Sequence, residues 1–242
     1  MGYVLLVHGY NKLMYEAVIN PFTPLWWKAN GIVIFAWSSI ILISLLFKEK
    51  ERIKIGKWLG FLFIFDLIFF QFALYYKDGF DLAYSLPLQY CSLMQILGSL
   101  ALISRKQFLY EFVLFFSLIG PLQALYTPGF PHADDYFFYE FYISHGGAIL
   151  SPLYLTIVLK MRPRPFAWLK ALFVFLILAA GIYIFNTKVG GNYMFLIEKP
   201  PLDHPLIHIT AGSNYLMAWL TILSFFTMLL AILFWMMRKI KL

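Results

Sequence analysis

Cysteine is nearly absent from this chain: its 242 residues hold one, Cys91. A lone thiol excludes an internal disulfide and a thiolate cage for zinc or an iron–sulfur cluster, so no metal site is expected and the redox compartment is not legible. Charge is also scarce, at 13% of residues, where ordinary soluble domains carry roughly a quarter. The start has no basic stretch leading into a short apolar run and a small-residue cleavage site, so no cleavable signal is expected. Leu6 stands where a myristoylation signal needs Ser or Thr. No internal repeat points to a transporter built from inverted halves. Of the five histidines, only His145 falls inside a long apolar run.

What is abundant is apolar surface. Hydrophobic residues make up 62% of the chain, more than a water-soluble fold of this length hides, so the bilayer is the expected solvent. Apolar runs at about residues 29–47, 58–76, 86–103, 108–126, 136–159, 167–187 and 215–237 predict seven transmembrane helices, each long enough for ~30 Å of hydrocarbon at ~1.5 Å per residue. Residues 1–28 are mixed, interrupted by Pro21 and Pro24 and ending near Trp26-Trp27, and read as an interfacial segment. The expectation is therefore an all-α integral membrane protein, with residues 29–242 as its seven-helix domain. The charged run at 48–57 reads as a loop. Fourteen of the nineteen Lys and Arg fall on the side of that loop and of the C-terminus. The positive-inside rule then sets the C-terminus in the cytoplasm and the N-terminus outside, in a multi-pass protein of the cell membrane. The net charge of +7 is explained by this anchoring on the inner leaflet, without nucleic acid as a partner.

Two stretches carry the chemistry. Leu86-Pro-Leu-Gln-Tyr-Cys-Ser-Leu93 opens the third span with Cys91, and Phe141-Tyr-Ile-Ser-His-Gly-Gly147 carries His145 in the fifth. Both spans enter from outside. Counted from the predicted boundaries at ~1.5 Å per residue, the thiol lies about 7 Å deep and the imidazole about 13 Å. The third span shows Cys91, Ser92, Gln95, Gly98 and Ser99 as a small and polar stripe that belongs against protein. A buried thiol is inert until a base takes its proton, and an imidazole does this in cysteine–histidine hydrolases and acyltransferases. Gln89, Gln95 and Gln123 supply amide donors for an oxyanion, as do first-turn N–H groups of the third span. Tyr142, beside His145, and Asn192, in the sixth connection, complete the binding candidates. Asp66, in the middle of the second span, either orients His145 or pairs with a polar neighbour such as Gln95 or Gln123. Glu140 is about 140° round its helix from His145 and is not expected to reach the ring. Glu111 is expected to pair with Arg105 at the inner boundary. Gly120-Pro121 and Ser151-Pro152 read either as kinks or as walls of a cavity.

Leu86-Pro-Leu-Gln-Tyr-Cys-Ser-Leu93, Gly120-Pro-Leu-Gln-Ala-Leu-Tyr-Thr-Pro128, Phe141-Tyr-Ile-Ser-His145 and Gly191-Asn-Tyr-Met194 resemble the YwaF-like family of seven-span bacterial membrane proteins, related to the eukaryotic transmembrane protein 164 group. The resemblance covers about residues 25–240 and leaves 1–24 unmatched. For the eukaryotic branch it implies a membrane acyltransferase that moves a fatty acyl chain from a phospholipid, through a cysteine, onto a lyso ether lipid. The family's cysteine falls on Cys91 and its histidine on His145; no third catalytic residue carries over. The implied partners are membrane phospholipids and lysolipids, with no cofactor, and hydrolysis differs from transfer only in whether water is the acceptor. A non-enzymatic binder or a proton or solute conduit, lined by Asp66, Gln95, Gln123 and His145, is the alternative. Oligomeric state is not legible.

Overall fold

Pro24, expected to break a helix, starts one. In the computed structural model, which describes residues 4–5, 17–199 and 215–239, helix α1 spans Pro24–Leu45. Thr23 caps it, accepting the Trp26 N–H on Oγ1 at 3.3 Å, and Pro24 fills a first-turn position where a missing N–H costs nothing. The first helix thus starts at residue 24 and not at about 29. The charged run is also helical: α2 spans Glu49–Asp78. Lys, Glu and Arg are good helix formers, and Glu49 and Glu51 sit at the favourable end of the dipole. Arg52 closes the turn by donating to Leu45 O at 2.7 Å and Phe47 O at 2.8 Å.

The remaining helices among the described residues are α3 (Tyr90–Ser104), α4 (Gln107–Phe116), α5 (Gly120–Tyr126), α6 (Asp135–Ile157), α7 (Ala167–Val189) and α8 (Tyr215–Lys239), with a 3-10 turn at Tyr193–Phe195. Three two-residue strands, β1 (Val4–Leu5), β2 (Ala17–Val18) and β3 (Gly129–Phe130), pair antiparallel in that order, with Val4 opposite Val18 and Ala17 opposite Phe130. Apart from this patch the described chain folds as helices.

Among the described residues four helical stretches are long and apolar enough to cross a membrane: Pro24–Leu45, Glu49–Asp78, Gln107–Tyr126 and Ala167–Val189. The apolar helix Tyr90–Ser104 has 15 residues, about 22 Å at the helical rise, and falls short of the ~30 Å core. The faces match a lipid solvent. Helix α2 buries only Gly56, Gly60, Phe63 and Leu67, one stripe at helical spacing, while Phe61, Phe65, Phe69 and Phe72 lie exposed. Helix α6 is the opposite case. It touches α1 to α5 and buries residues on nearly every face from Phe137 to Leu155. Its small residues allow this: a Cβ on Gly147 would lie 2.7 Å from the Phe63 ring, and one on Gly146 would lie 3.0 Å from Trp37 Nε1. Pro152 stays inside α6. On either side of it hydroxyls bond back to their own helix, Ser151 Oγ donating to Gly147 O and Thr156 Oγ1 to Pro152 O, each at 2.7 Å.

Gly120-Pro121 does break its helix, separating α4 from α5. The Tyr90 ring fills the space where a Gly120 Cβ would be, and its hydroxyl donates to Phe116 O at 2.7 Å. At the charged end of α4, Glu111 pairs with Arg164 and not with Arg105: its Oε2 takes Arg164 Nη2 at 2.7 Å, and its Oε1 takes Arg164 Nε at 2.9 Å. The planar guanidinium reaches both carboxylate oxygens, a match the expected neighbour does not make.

Candidate functional site

The predicted third span begins too early. Residues 82–89 are turns and bends, and α3 starts at Tyr90. Cys91 therefore sits in the first turn of its helix and not one turn inside it. The residue before a proline is biased away from the helical region, which keeps Leu86 out of the helix.

The turn region 82–89 is pinned from the other end of the chain. Tyr193 is fully buried; its hydroxyl donates to Leu82 O and accepts the Leu86 N–H, both at 2.9 Å. Burial pushes that hydroxyl above its ordinary value, so it is a donor at neutral pH. Gln89 Oε1 accepts the Met194 N–H at 2.9 Å. Asn186 holds the Tyr193 backbone on both sides, Nδ2 to its carbonyl and Oδ1 from its N–H, each at 2.9 Å. The Gly191-Asn-Tyr-Met194 motif thus acts as a clasp on the motif that carries Cys91. Neither Asn186 nor Tyr193 is a candidate by sequence; an asparagine in the last turns of an apolar helix was the available signal.

Helices α3 and α6 lie alongside each other in the same direction. Gly98 meets Ser151, where a Cβ on the glycine would lie 3.0 Å from Ser151 Oγ. The antiparallel α2 confirms this register: Phe63 meets both Gln95 and Gly147, and Gly56 meets both Leu102 and Tyr154. One heptad back from the Gly98–Ser151 contact are Cys91 and Ser144, and seven residues return a helix to nearly the same face. Cys91 therefore comes level with Ser144 and within one residue of the level of His145. The thiol is partly buried, packed with the aromatic cluster around Tyr90, Phe116 and Phe175.

No hydrogen bond joins the thiol to the imidazole. His145 Nδ1 lies 2.8 Å from Phe141 O and 3.2 Å from Ser144 Oγ, and the ring stacks on Phe141 with centroids 4.0 Å apart. A carbonyl oxygen only accepts, so Nδ1 carries the proton and Nε2 keeps its lone pair. That is the tautomer of a base. Beside Cys91, the side chain of Gln89 does not cap α3, and the N–H groups of Cys91 and Ser92 have no acceptor among the described residues. Two free amides at a helix start, next to a sulfur, are a donor set for a negative oxygen.

The other candidates divide. Gln95 Nε2 donates to Asp66 Oδ2 at 2.9 Å and to Phe63 O at 3.1 Å. Both hydrogens of that amide are committed, which removes Gln95 as an oxyanion donor. Asp66 accordingly meets Gln95 and is not bonded to His145. Asn192 holds its own turn, with Oδ1 accepting from Ile197 and Glu198 N–H and Nδ2 donating to Glu198 O. Tyr142 is buried among the rings of Phe138 and Phe141. Gln123 is half-buried on α5. Sequence reasoning set Glu140 aside and missed Ser144. Glu140 is not bonded to the ring but is buried, at 6% exposure, and the Ser144 hydroxyl lies 3.2 Å from His145 Nδ1. A Glu and a Ser four residues apart on one helix was the signal. Among the described residues no group of three or more His, Cys, Asp or Glu is arranged to hold a metal ion.

A protein of Treponema pallidum (strain Nichols), described as an uncharacterized protein, is 29% identical to this chain over 127 residues, 52% of each chain. The match thus spans about half the length of that relative. No solved structure matches. The model of the TMEM164 family matches residues 21–238, which include the Cys91 turn, the His145 helix and the Tyr193 clasp. The chain is a membrane protein of the TMEM164 family.

Proposed function

We propose that the protein is a lipid acyltransferase of the cell membrane, in a seven-span arrangement with the N-terminus outside, related to the bacterial YwaF-like branch. Cys91 is the nucleophile and His145 Nε2 the base. The observation that carries the reading is the first turn of α3: a thiol with two free N–H groups beside it, level with an imidazole whose Nε2 keeps its lone pair.

The steps follow from these groups. Nε2 takes the Sγ proton, and the sulfur attacks the carbonyl carbon of a phospholipid ester. The resulting oxyanion accepts the Cys91 and Ser92 N–H groups. Collapse of the adduct breaks the carbon–oxygen bond, and the imidazolium returns the proton to the leaving lysolipid alkoxide. The acyl thioester then passes to the hydroxyl of a lysolipid, or to water, by the same proton transfers in reverse. Transfer requires sulfur and Nε2 to close to hydrogen-bond distance, and catalytic hydrogen bonds commonly tighten only with substrate in place.

Mass spectrometry of the intact protein after incubation with phospholipid tests this. The expected result is one acyl mass on Cys91, absent from Cys91→Ala and formed far more slowly by His145→Ala. Normal lipid turnover by Cys91→Ala refutes the reading. The second reading, a binder or conduit, is favoured by the Asp66–Gln95 hydrogen bond between α2 and α3; it requires a continuous water route and is indifferent to the thiol.

A further inference from the structure

We propose that a groove between α4, α7 and α8 binds one anionic phospholipid, with the lipid phosphate on Arg164 and an acyl chain along the apolar walls. This binding does not depend on the Cys91–His145 chemistry.

The groove encloses about 570 Å³, within the ~300–1,000 Å³ of small-molecule sites. Its walls include Phe115 of α4, Trp168 of α7, and Ala231, Ile232 and Trp235 of α8; Arg164 is the charged residue among the lining. It opens sideways, with Ile232 44% and Trp235 55% exposed on a helix whose solvent is hydrocarbon. Pro163 and Pro165 stiffen the rim. Phe166, the next rim residue, is 73% exposed and held at φ 59°, a left-handed conformation that is strained for a bulky side chain.

Charge selects the head group. Gln107 Nε2 donates to Arg162 O at 2.8 Å, so the rim lies at the start of α4. Residues 104–111 and 160–170 hold Arg105, Lys106, Lys160, Arg162, Arg164 and Lys170 against one acid, Glu111. The Glu111 side chain is 1% exposed. It accepts three hydrogen bonds from Arg164: the backbone N–H at 2.8 Å, Nε at 2.9 Å and Nη2 at 2.7 Å. The buried carboxylate therefore fixes one edge of the guanidinium. The Arg164 side chain stays 55% exposed, and its Nη1 donors have no acceptor among the described residues. A planar guanidinium held on one edge offers the other to a phosphate. Lys170 Nζ lies over the Phe108 ring at 5.0 Å, and Arg162 donates to the Thr156 and Met161 carbonyls, so neither cation is cancelled by these contacts. Basic pockets between membrane helices hold anionic head groups in this way. From Cys91 to Ser104, just before α4, the helical rise amounts to about 20 Å, so a head group at this rim is distinct from one at the thiol.

The test follows tryptophan fluorescence of the full-length protein in phosphatidylcholine vesicles containing increasing dibrominated phosphatidylglycerol, with dibrominated phosphatidylcholine as the comparison. Bromine quenches at contact, and Trp168→Phe/Trp235→Phe supplies the background from tryptophans outside the groove. The wild type is expected to show saturable quenching that favours phosphatidylglycerol by about five-fold or more, roughly what one cation contributes to binding an anionic lipid. Glu111→Gln/Arg164→Gln removes the ion pair without stranding a buried carboxylate, and should bring the preference within about two-fold of unity. Ala231→Phe fills the groove and keeps the pair, and should weaken quenching by both lipids. Arg105→Gln/Lys106→Gln, at the same end of the bundle but outside the lining, should leave the preference as in wild type. Equal quenching by the two lipids in wild type overturns the proposal. So does a preference unchanged in the Arg164 variant, quenching unchanged in Ala231→Phe, or a preference that falls as far in the Arg105 variant, since that is the mark of diffuse surface charge. Where the Arg164 variant fails to fold, Ala231→Phe and the Arg105 variant decide.

Discussion

Tyr193→Phe isolates the clasp. The ring keeps its place in the aromatic cluster, so no cavity opens, and only the hydroxyl is lost. Two hydrogen bonds of 2.9 Å go with it, one to Leu82 O and one from the Leu86 N–H. Each is worth about 0.5–1.5 kcal/mol net, so the expected loss is about 1–3 kcal/mol. In a domain of this size 1 kcal/mol corresponds to roughly 2–4 °C, so Tm should drop by about 2–12 °C. Thermal unfolding of the purified protein in detergent, followed by near-UV circular dichroism, measures this. The second effect is local. The turn region ahead of α3 loses its anchor, so a small apolar maleimide should alkylate Cys91 several times faster at a temperature well below Tm. An unchanged Tm together with an unchanged alkylation rate would refute the clasp. A lowered Tm with an unchanged rate would confine Tyr193 to stability.

Three further outcomes are expected. Gly120→Ala places a methyl group inside the Tyr90 ring and should cost about 1–3 kcal/mol, read as a lowered Tm, while Leu122→Ala on an exposed face of α5 should cost less. Asp134 caps α6 through Oδ1 and pairs with Lys77 through Oδ2; burial pushes its carboxyl up, but the Lys77 and Phe137 hydrogen bonds outweigh this and hold it below its ordinary 3.8. A depressed folded value means stability that is present above the unfolded pKa and lost as pH falls through the lowered one, so Asp134→Ala should cost about 1 kcal/mol at neutral pH, with the gap in Tm to wild type narrowing below about pH 4. For topology, single cysteines at Lys54→Cys and Lys199→Cys in a Cys91→Ala background should meet an impermeant thiol reagent on intact cells only at position 199; labelling at 54 alone reverses the proposed orientation.

The apolar helices were legible because composition and run length act through one physical quantity, transfer into hydrocarbon. What hydropathy obscured were the ends. The run at 48–57 is polar, and polarity was read as loop, yet its residues are among the better helix formers, and α2 continues through them. Pro24 shows the converse: a residue that stops a helix from inside starts one from the first turn. At Gly120-Pro121 the same chemistry broke the helix, and at Ser151-Pro152 it did not. The difference is supplied by neighbours: Tyr90 occupies the first gap and donates to Phe116 O, while α6 runs on through Pro152 with neighbours packed on nearly every face.

The candidate site was legible as residue types and not as contacts. Cys91 and His145 stand out because each is alone of its kind in an apolar run. Their common level is not a matter of counting from span ends, since α3 begins four residues later than hydropathy suggests. It follows from the glycine contacts that fix α3 against α6 and both against α2, which no single-helix pattern contains. For the same reason Gln95 looked available until its two amide hydrogens were found on Asp66 and Phe63. A polar residue in a span announces that it has a partner, and the identity of that partner decides whether it is left free for chemistry. Here the amides of Cys91 and Ser92, which carry no side-chain signature at all, are the donors left without acceptors among the described residues. The oxyanion contacts proposed for such a site are therefore written in where a helix starts, and Pro87 keeps that start from reaching back to Leu86.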